Sequence, residues 1–331
     1  MGALSAVALK LASLHVVLGV VHAAQTSACL QALAPTLDAM QGKNGTIGSN
    51  DAMVAIGMDV AREIHNKNNP LYNLVVEQTS SASGGKEETD EEARARFQKQ
   101  AKDDLGATYA DLIINNNNNT KARPFGVVAT DNYTMIAFRG TENVNDVLTD
   151  INALKTDVKF GKDTVKVHRG FWNAWQAVKP DVMKQIKEHP SDRIYIVGPS
   201  LGGAVAQLAA ADLSLNEGVP VTAVYSYAAP RVGTPDWVTM LEKNGLNDKI
   251  LQFVDPRDVV PFLPTKKMGF ERAGRPVMIS PSSCQDMSVG GLDALPSAGR
   301  NIKYHNMVQY STYIDTECLT SAAREVYDYC H

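Results

Sequence analysis

One serine in this chain stands where a hydroxyl could become a nucleophile. Ser200 lies within Gly198-Pro199-Ser200-Leu201-Gly202-Gly203-Ala204. The core pattern Gly-x-Ser-x-Gly is weak by itself, because glycine and serine are common, but its setting gives it meaning. The compact apolar run Arg193-Ile194-Tyr195-Ile196-Val197 leads in, and an alanine-rich stretch, Ala204 to Leu213, leads out. A strand, a cramped turn and a helix hold a serine at a helix N-terminus, where backbone N–H groups face a developing negative charge. Glycine is needed on both sides because such a turn brings backbone against backbone. The same residues could form a plain glycine-rich turn. What separates the two readings is whether a base and an acid serve the hydroxyl.

A serine hydroxyl is a poor nucleophile until a base takes its proton. Where such an elbow crowns an α/β sheet, the acid and then the histidine follow the serine along the chain. Of the seven histidines, only His305 and His331 follow Ser200, and His331 is the last residue. His305 is therefore the expected base. The acid is expected just past a strand between Ser200 and His305. Ile250 to Val254 reads as that strand and runs into Asp255-Pro256-Arg257-Asp258. Asp255 touches the strand end, where it could merely cap the turn, and Asp258 lies one short loop later, better placed to reach an imidazole. Pattern alone leaves both open.

These residues need a scaffold. Helical spacing or apolar runs predict strands over 125–129 and 134–138, separated by the turn Thr130-Asp131-Asn132. A helix over 172–188, a strand over 193–197 and a helix from Ser200 follow. A strand over 222–228, a helix near 235–244 and the strand 250–254 complete the alternation. Strands alternating with helices imply a mainly parallel central sheet with helices on both faces, and ligands then bind beyond the carboxyl ends of its strands. Upstream, Ala52, Ile56, Val60 and Ile64 recur at helical spacing within 25–78, and helical character returns over 93–114. Between these, residues 79–92 are acidic and rich in glycine and serine, and read as a surface loop. Asn115 to Asn119 read as a solvated loop.

Taken together, the segments resemble the class 3 lipases, the group that includes the secreted filamentous-fungal triacylglycerol lipases, from about residue 125 to residue 312. The elbow around Ser200, the acid loop Val254 to Pro264, the segment from His305 to Tyr310, and Phe138-Arg139-Gly140-Thr141 carry the likeness. The resemblance implies an α/β-hydrolase fold, places the acid at Asp258, and assigns an oxyanion hole to the backbone N–H groups of Thr141 and Leu201. Val167-His168-Arg169-Gly170-Phe171 is a further shared segment with a structural role, so His168 is given no chemistry. The sequence departs from the family at Pro199, where a histidine is usual. It also departs after Thr141, where Asp146-Val147 replaces an Asn-Trp pair. Val144, Val147 and Leu148 still form an apolar stripe at helical spacing, suited to a small lid. By the same likeness Cys29 would pair with Cys318, leaving Cys284 with Cys330.

The implied activity is carboxylic ester hydrolysis through an acyl-enzyme, with triacylglycerol as the family default. A phospholipid, galactolipid, feruloyl or cutin ester is the alternative substrate. A reading of another class is a secreted lipid-binding protein that keeps the fold without turnover. Neither a metal nor an organic cofactor is expected, and the lipid or other ester is met as a monomer, at a lipid–water interface where the substrate forms one. The 331 residues carry a formal net charge of −4 and no long Lys/Arg run, which leaves nucleic-acid binding without support. Residues 1–24 read as a signal peptide: Lys10, an apolar run from Leu11 to Val21, then His22-Ala23-Ala24. No later segment is apolar for long enough to span a membrane. Residues 25–331 are then one secreted, extracellular domain. Four cysteines and the sequons at Asn44, Asn118 and Asn132 fit export, with two disulfides and glycosylation.

Overall fold

The computed structural model describes residues 90–115, 122–140 and 154–318. Its centre is an eight-stranded sheet. The strands are β1 (Tyr109–Asn115), β2 (Ala122–Ala129), β3 (Thr134–Phe138), β6 (Ile194–Pro199), β7 (Val221–Tyr227), β8 (Ile250–Val254), β9 (Arg275–Ser280) and β10 (Ser283–Asp286), in that spatial order. The pairs from β3 to β9 are parallel, and β1, β2 and β10 add antiparallel edges. Every residue of β3, β6 and β8 is buried, as strands covered on both faces must be.

Side chains alternate between two cores. On one face Ile136, Phe138, Ile194, Ile196 and Val224 pack against three helices: α2 (Arg169–Glu188), the alanine-rich α3 (Ser200–Leu215) and α4 (Pro235–Lys243). On the other, Met135, Ala137, Tyr195, Val197 and Phe253 pack against α1 (Asp90–Leu105) and α6 (Met307–Tyr313). The small side chains of α3 let it lie close to the sheet. It is tied to α2 by Asp212, which accepts from Trp175 Nε1 at 2.8 Å and pairs with Lys179 at 2.7 Å. A separate hairpin, β4 (Lys155–Phe160) with β5 (Asp163–His168), leads into α2. A short helix α5 (Val289–Ala294) lies between β10 and His305.

The structure differs from the sequence reading in three places. The helical stretch expected over 93–114 is helix only to Leu105. Gly106 turns at φ 62° and Tyr109 to Asn115 form edge strand β1. The acidic loop expected over 79–92 gives its last three residues to a helix, because Asp90, Glu91 and Glu92 fill the first turn of α1, where negative charge suits the helix dipole. The disulfide pairing is also corrected. Cys284 on β10 is bonded to Cys318, in a π-helical turn that continues α6 (Ile314–Cys318), with their Cα atoms 4.9 Å apart. Edge strand and turn are packed side by side there, so Cys318 is not available to Cys29. Cys29, Cys330, the signal peptide, the helices expected over 25–78, the sequons at Asn44 and Asn118, Thr141 and the lid residues Val144, Val147 and Leu148 all lie outside the described residues. Asn132 sits in the β2–β3 turn, partly exposed.

Candidate active site

The turn from β6 into α3 is as tight as its glycines imply. Ser200 takes φ 52°, a left-handed conformation that L residues avoid and that costs roughly 1–3 kcal/mol when the surroundings enforce it. A Cβ on Gly198 would lie 2.5 Å from the Gly202 carbonyl oxygen, and one on Gly203 would lie 2.7 Å from Gly198 O. Real side chains do not fit there. A Cβ on Gly202 would meet Arg139 O at 2.6 Å and Phe138 O at 2.7 Å. The first turn of α3 is thus pressed against the end of β3, immediately before Gly140 and Thr141. Leu201 is among the first residues of α3, whose backbone N–H groups have no acceptor within the helix. Pro199 lies in extended backbone, with φ −89° and ψ 153°. Ser200 Oγ is buried and has no hydrogen-bond partner among the described residues.

The acid loop leaves the carboxyl end of β8. Asp258 and His305 are both buried, and His305 Nδ1 lies 2.7 Å from Asp258 Oδ2. The same oxygen accepts the Tyr310 hydroxyl at 3.0 Å, and Oδ1 accepts the Val260 N–H at 2.9 Å. The Tyr310 oxygen in turn accepts the Asp255 N–H at 2.9 Å. Burial and the nearby Asp258 charge push the Tyr310 phenol well above its ordinary value, so it stays a donor. A carboxylate held this way can fix an imidazole in one tautomer and offset the charge it acquires on taking a proton. His305 is presented by a short 3₁₀ turn, Ile302–Tyr304, which the Asn301 N–H pins to Arg257 O at 2.8 Å.

Asp255 is committed elsewhere. Its Oδ2 pairs with Arg257 at 2.6 Å, and its Oδ1 accepts the Arg257 N–H and Nε–H at 2.9 Å each. Arg257 also donates to the Tyr313 hydroxyl at 3.0 Å and lies over the Tyr304 ring. Farther along, two buried guanidiniums brace the loop carbonyls. Arg272 donates to Pro261 O at 2.8 Å, and Arg231 to Phe262 O and to Pro264 O. Asp293 of α5 accepts from both, at 3.2 and 2.9 Å. Burial, then the neighbouring Arg231 charge, lowers Arg272 to about 10. His168 caps α2 by accepting the Phe171 N–H and stacks on the Phe171 ring, a structural post. The sequence reading gave no role to Tyr310, Arg257 or the Arg231–Asp293–Arg272 brace. The i, i+2 pairing of Asp255 with Arg257 was the one signal of these in the sequence. Among the described residues no cluster of His, Cys, Asp and Glu could hold a metal ion. No described helix is long and apolar enough to cross a membrane.

Residues 135–268 match the family described as lipase (class 3). A secreted mono- and diacylglycerol lipase A from Penicillium cyclopium is 33% identical over 174 residues, covering 50% of this chain and 55% of the relative. A lipase from Rhizomucor miehei is 32% identical over 161 residues, covering 46% and 44%. The chain therefore spans about half the length of the named relatives it matches. Among solved structures, lipase II from Rhizopus niveus superposes with a TM-score of 0.54 at 21% identity, over 80% of this chain and 97% of that one. A lipase from Rhizopus microsporus var. chinensis gives 0.50 at 20% identity, over 82% and 88%. At such identities the likeness speaks for the fold alone, which is that of the α/β-hydrolases. The family likeness read from the elbow and the acid loop is thus met again over residues 135–268, where this chain resembles the class 3 lipases.

Proposed function

We propose that the protein is a secreted serine hydrolase of carboxylic esters whose substrates are acylglycerols. Ser200 is the nucleophile, His305 the base and Asp258 the residue that orients it. The observation that carries this is the buried 2.7 Å contact between His305 Nδ1 and Asp258 Oδ2, on loops at the same carboxyl end of the sheet where the elbow holds Ser200. With Nδ1 turned to Asp258, Nε2 is the nitrogen left to serve the serine.

Ser200 Oγ attacks the acyl carbonyl carbon as its proton passes to His305 Nε2. The oxyanion is met by the N–H groups of Leu201 and Thr141. The bond to the glycerol oxygen then breaks, and His305 gives its proton to the departing alkoxide. Water attacks the acyl-enzyme, His305 takes a proton from it, and the fatty acid leaves as the proton returns to Ser200 Oγ. Export through the 1–24 leader, one domain over 25–331, a lid over 144–148 and glycosylation at Asn44, Asn118 and Asn132 complete the proposal. The likeness to the Penicillium cyclopium protein, a secreted mono- and diacylglycerol lipase, supports it.

Ser200→Ala is expected to abolish hydrolysis of a p-nitrophenyl ester and of an emulsified diacylglycerol, with the circular dichroism spectrum and melting temperature close to the parent's. Substantial turnover by that variant would reject the assignment.

A further inference from the structure

Among the described residues three large apolar side chains are exposed, Leu154, Met268 and Val308, at 48%, 40% and 40%. The fold brings two of them onto one surface. Lys155, the neighbour of Leu154, donates from Nζ to the Met268 carbonyl at 2.7 Å and lies over the Phe270 ring at 5.0 Å. The Leu154 carbonyl accepts the Arg169 N–H at 2.8 Å. The start of β4, the start of α2 and the short turn Lys266–Met268 therefore meet.

Among the described residues the charges on this surface are mostly of one sign. Lys155, Arg169, Lys266 and Lys267 are all exposed. Lys266 is offset, pairing with Glu271 at 2.9 Å and Asp293 at 3.2 Å. Asp157, farther along β4, is held by Lys166 at 2.8 Å. The contacts of Lys155 are with a carbonyl and a ring, both neutral, so its charge stays uncompensated by them. This local excess of cations stands on a chain whose formal net charge is −4. The turn also belongs to the same connection, from β8 to β9, that carries Asp258.

We propose that this patch docks the protein onto anionic lipid surfaces. Leu154 and Met268 enter the interface while Lys155, Arg169 and Lys267 meet the negatively charged headgroups. Long cationic side chains suit that place, keeping their stems in the apolar layer and their charge at its edge. An acidic protein approaches such a surface through whichever face locally reverses its charge. The inference goes beyond the ester-hydrolase reading and needs no turnover.

The test therefore uses the Ser200→Ala chain, so that no lipid is consumed, with sedimented vesicles of phosphatidylcholine alone or of equal parts phosphatidylcholine and phosphatidylserine. Mixed vesicles are expected to bind at least about fivefold more tightly, an advantage that shrinks as salt is raised. Lys267→Glu combined with Met268→Asp removes the advantage, whereas Lys187→Glu, at the far end of α2, leaves it in place. In the Ser200 background, Lys267→Glu/Met268→Asp hydrolyses a soluble p-nitrophenyl ester as the parent does. That last result reads the ester-hydrolase proposal separately from docking. Equal binding to both vesicle types, or a full preference surviving Lys267→Glu/Met268→Asp, would overturn the docking proposal.

Discussion

At the scale of single residues, the acid loop turns on one hydroxyl. Tyr310 donates to Asp258 Oδ2 and accepts from the Asp255 N–H, so it ties the two aspartates into one geometry. Tyr310→Phe keeps the ring in the core but removes the donor and leaves a buried N–H unpaired. A hydrogen bond to a charged group contributes about 1.5–3 kcal/mol, so kcat is expected to fall on the order of tenfold or more, with KM little changed. An unaltered kcat would show that His305 and the Val260 N–H hold Asp258 without help. The same pair of aspartates marks a limit of the sequence. Asp255 and Asp258 have the same chemistry three positions apart, and no pattern reveals which way each carboxylate turns. Arg257 decides it by occupying both oxygens of Asp255. His305, by contrast, could be singled out as a candidate because chain order left it without a rival other than the terminal residue.

At the scale of elements, the Arg231–Asp293–Arg272 brace joins α5 to the acid loop and to the segment after β7. Asp293→Asn keeps the shape but leaves two buried guanidiniums without their carboxylate. A loss of about 3–5 kcal/mol in unfolding free energy is expected, read by urea denaturation. Burial opposes ionisation of Asp293, yet Arg272 and Arg231 outweigh it and hold the carboxyl below its ordinary value. Its contribution is thus complete above the usual carboxylate range and is lost as pH falls through the lowered value. The gap between parent and variant is expected to narrow in acid. A gap that stays constant down to unfolding would contradict this. None of this could be read in advance, since Arg231, Arg272 and Asp293 are far apart in sequence. The alternation from α2 to β8 was readable because buried parallel strands are nearly continuous apolar runs. Strand β10, Ser-Cys-Gln-Asp, offers no such signal, and β1 was hidden because only Gly106, Ala107 and Thr108 separate it from a helix.

At the scale of the molecule, the sheet gathers a turn after β6, a loop after β8 and a segment before α6 at one end. The Cys284–Cys318 bond ties the far edge of that sheet to the turn continuing α6, the helix that supplies Tyr310. Four cysteines allow three pairings, and only the packing of edge strand against turn selects this one. The claim on which the rest depends is that Ser200 is made reactive by this gathering. The most direct measurement is covalent labelling of the purified protein with a fluorophosphonate, followed by peptide mapping. The account predicts a single phosphonylated residue, Ser200, with labelling lost in His305→Ala. Absence of labelling in a folded parent protein, or modification at another residue, would contradict it.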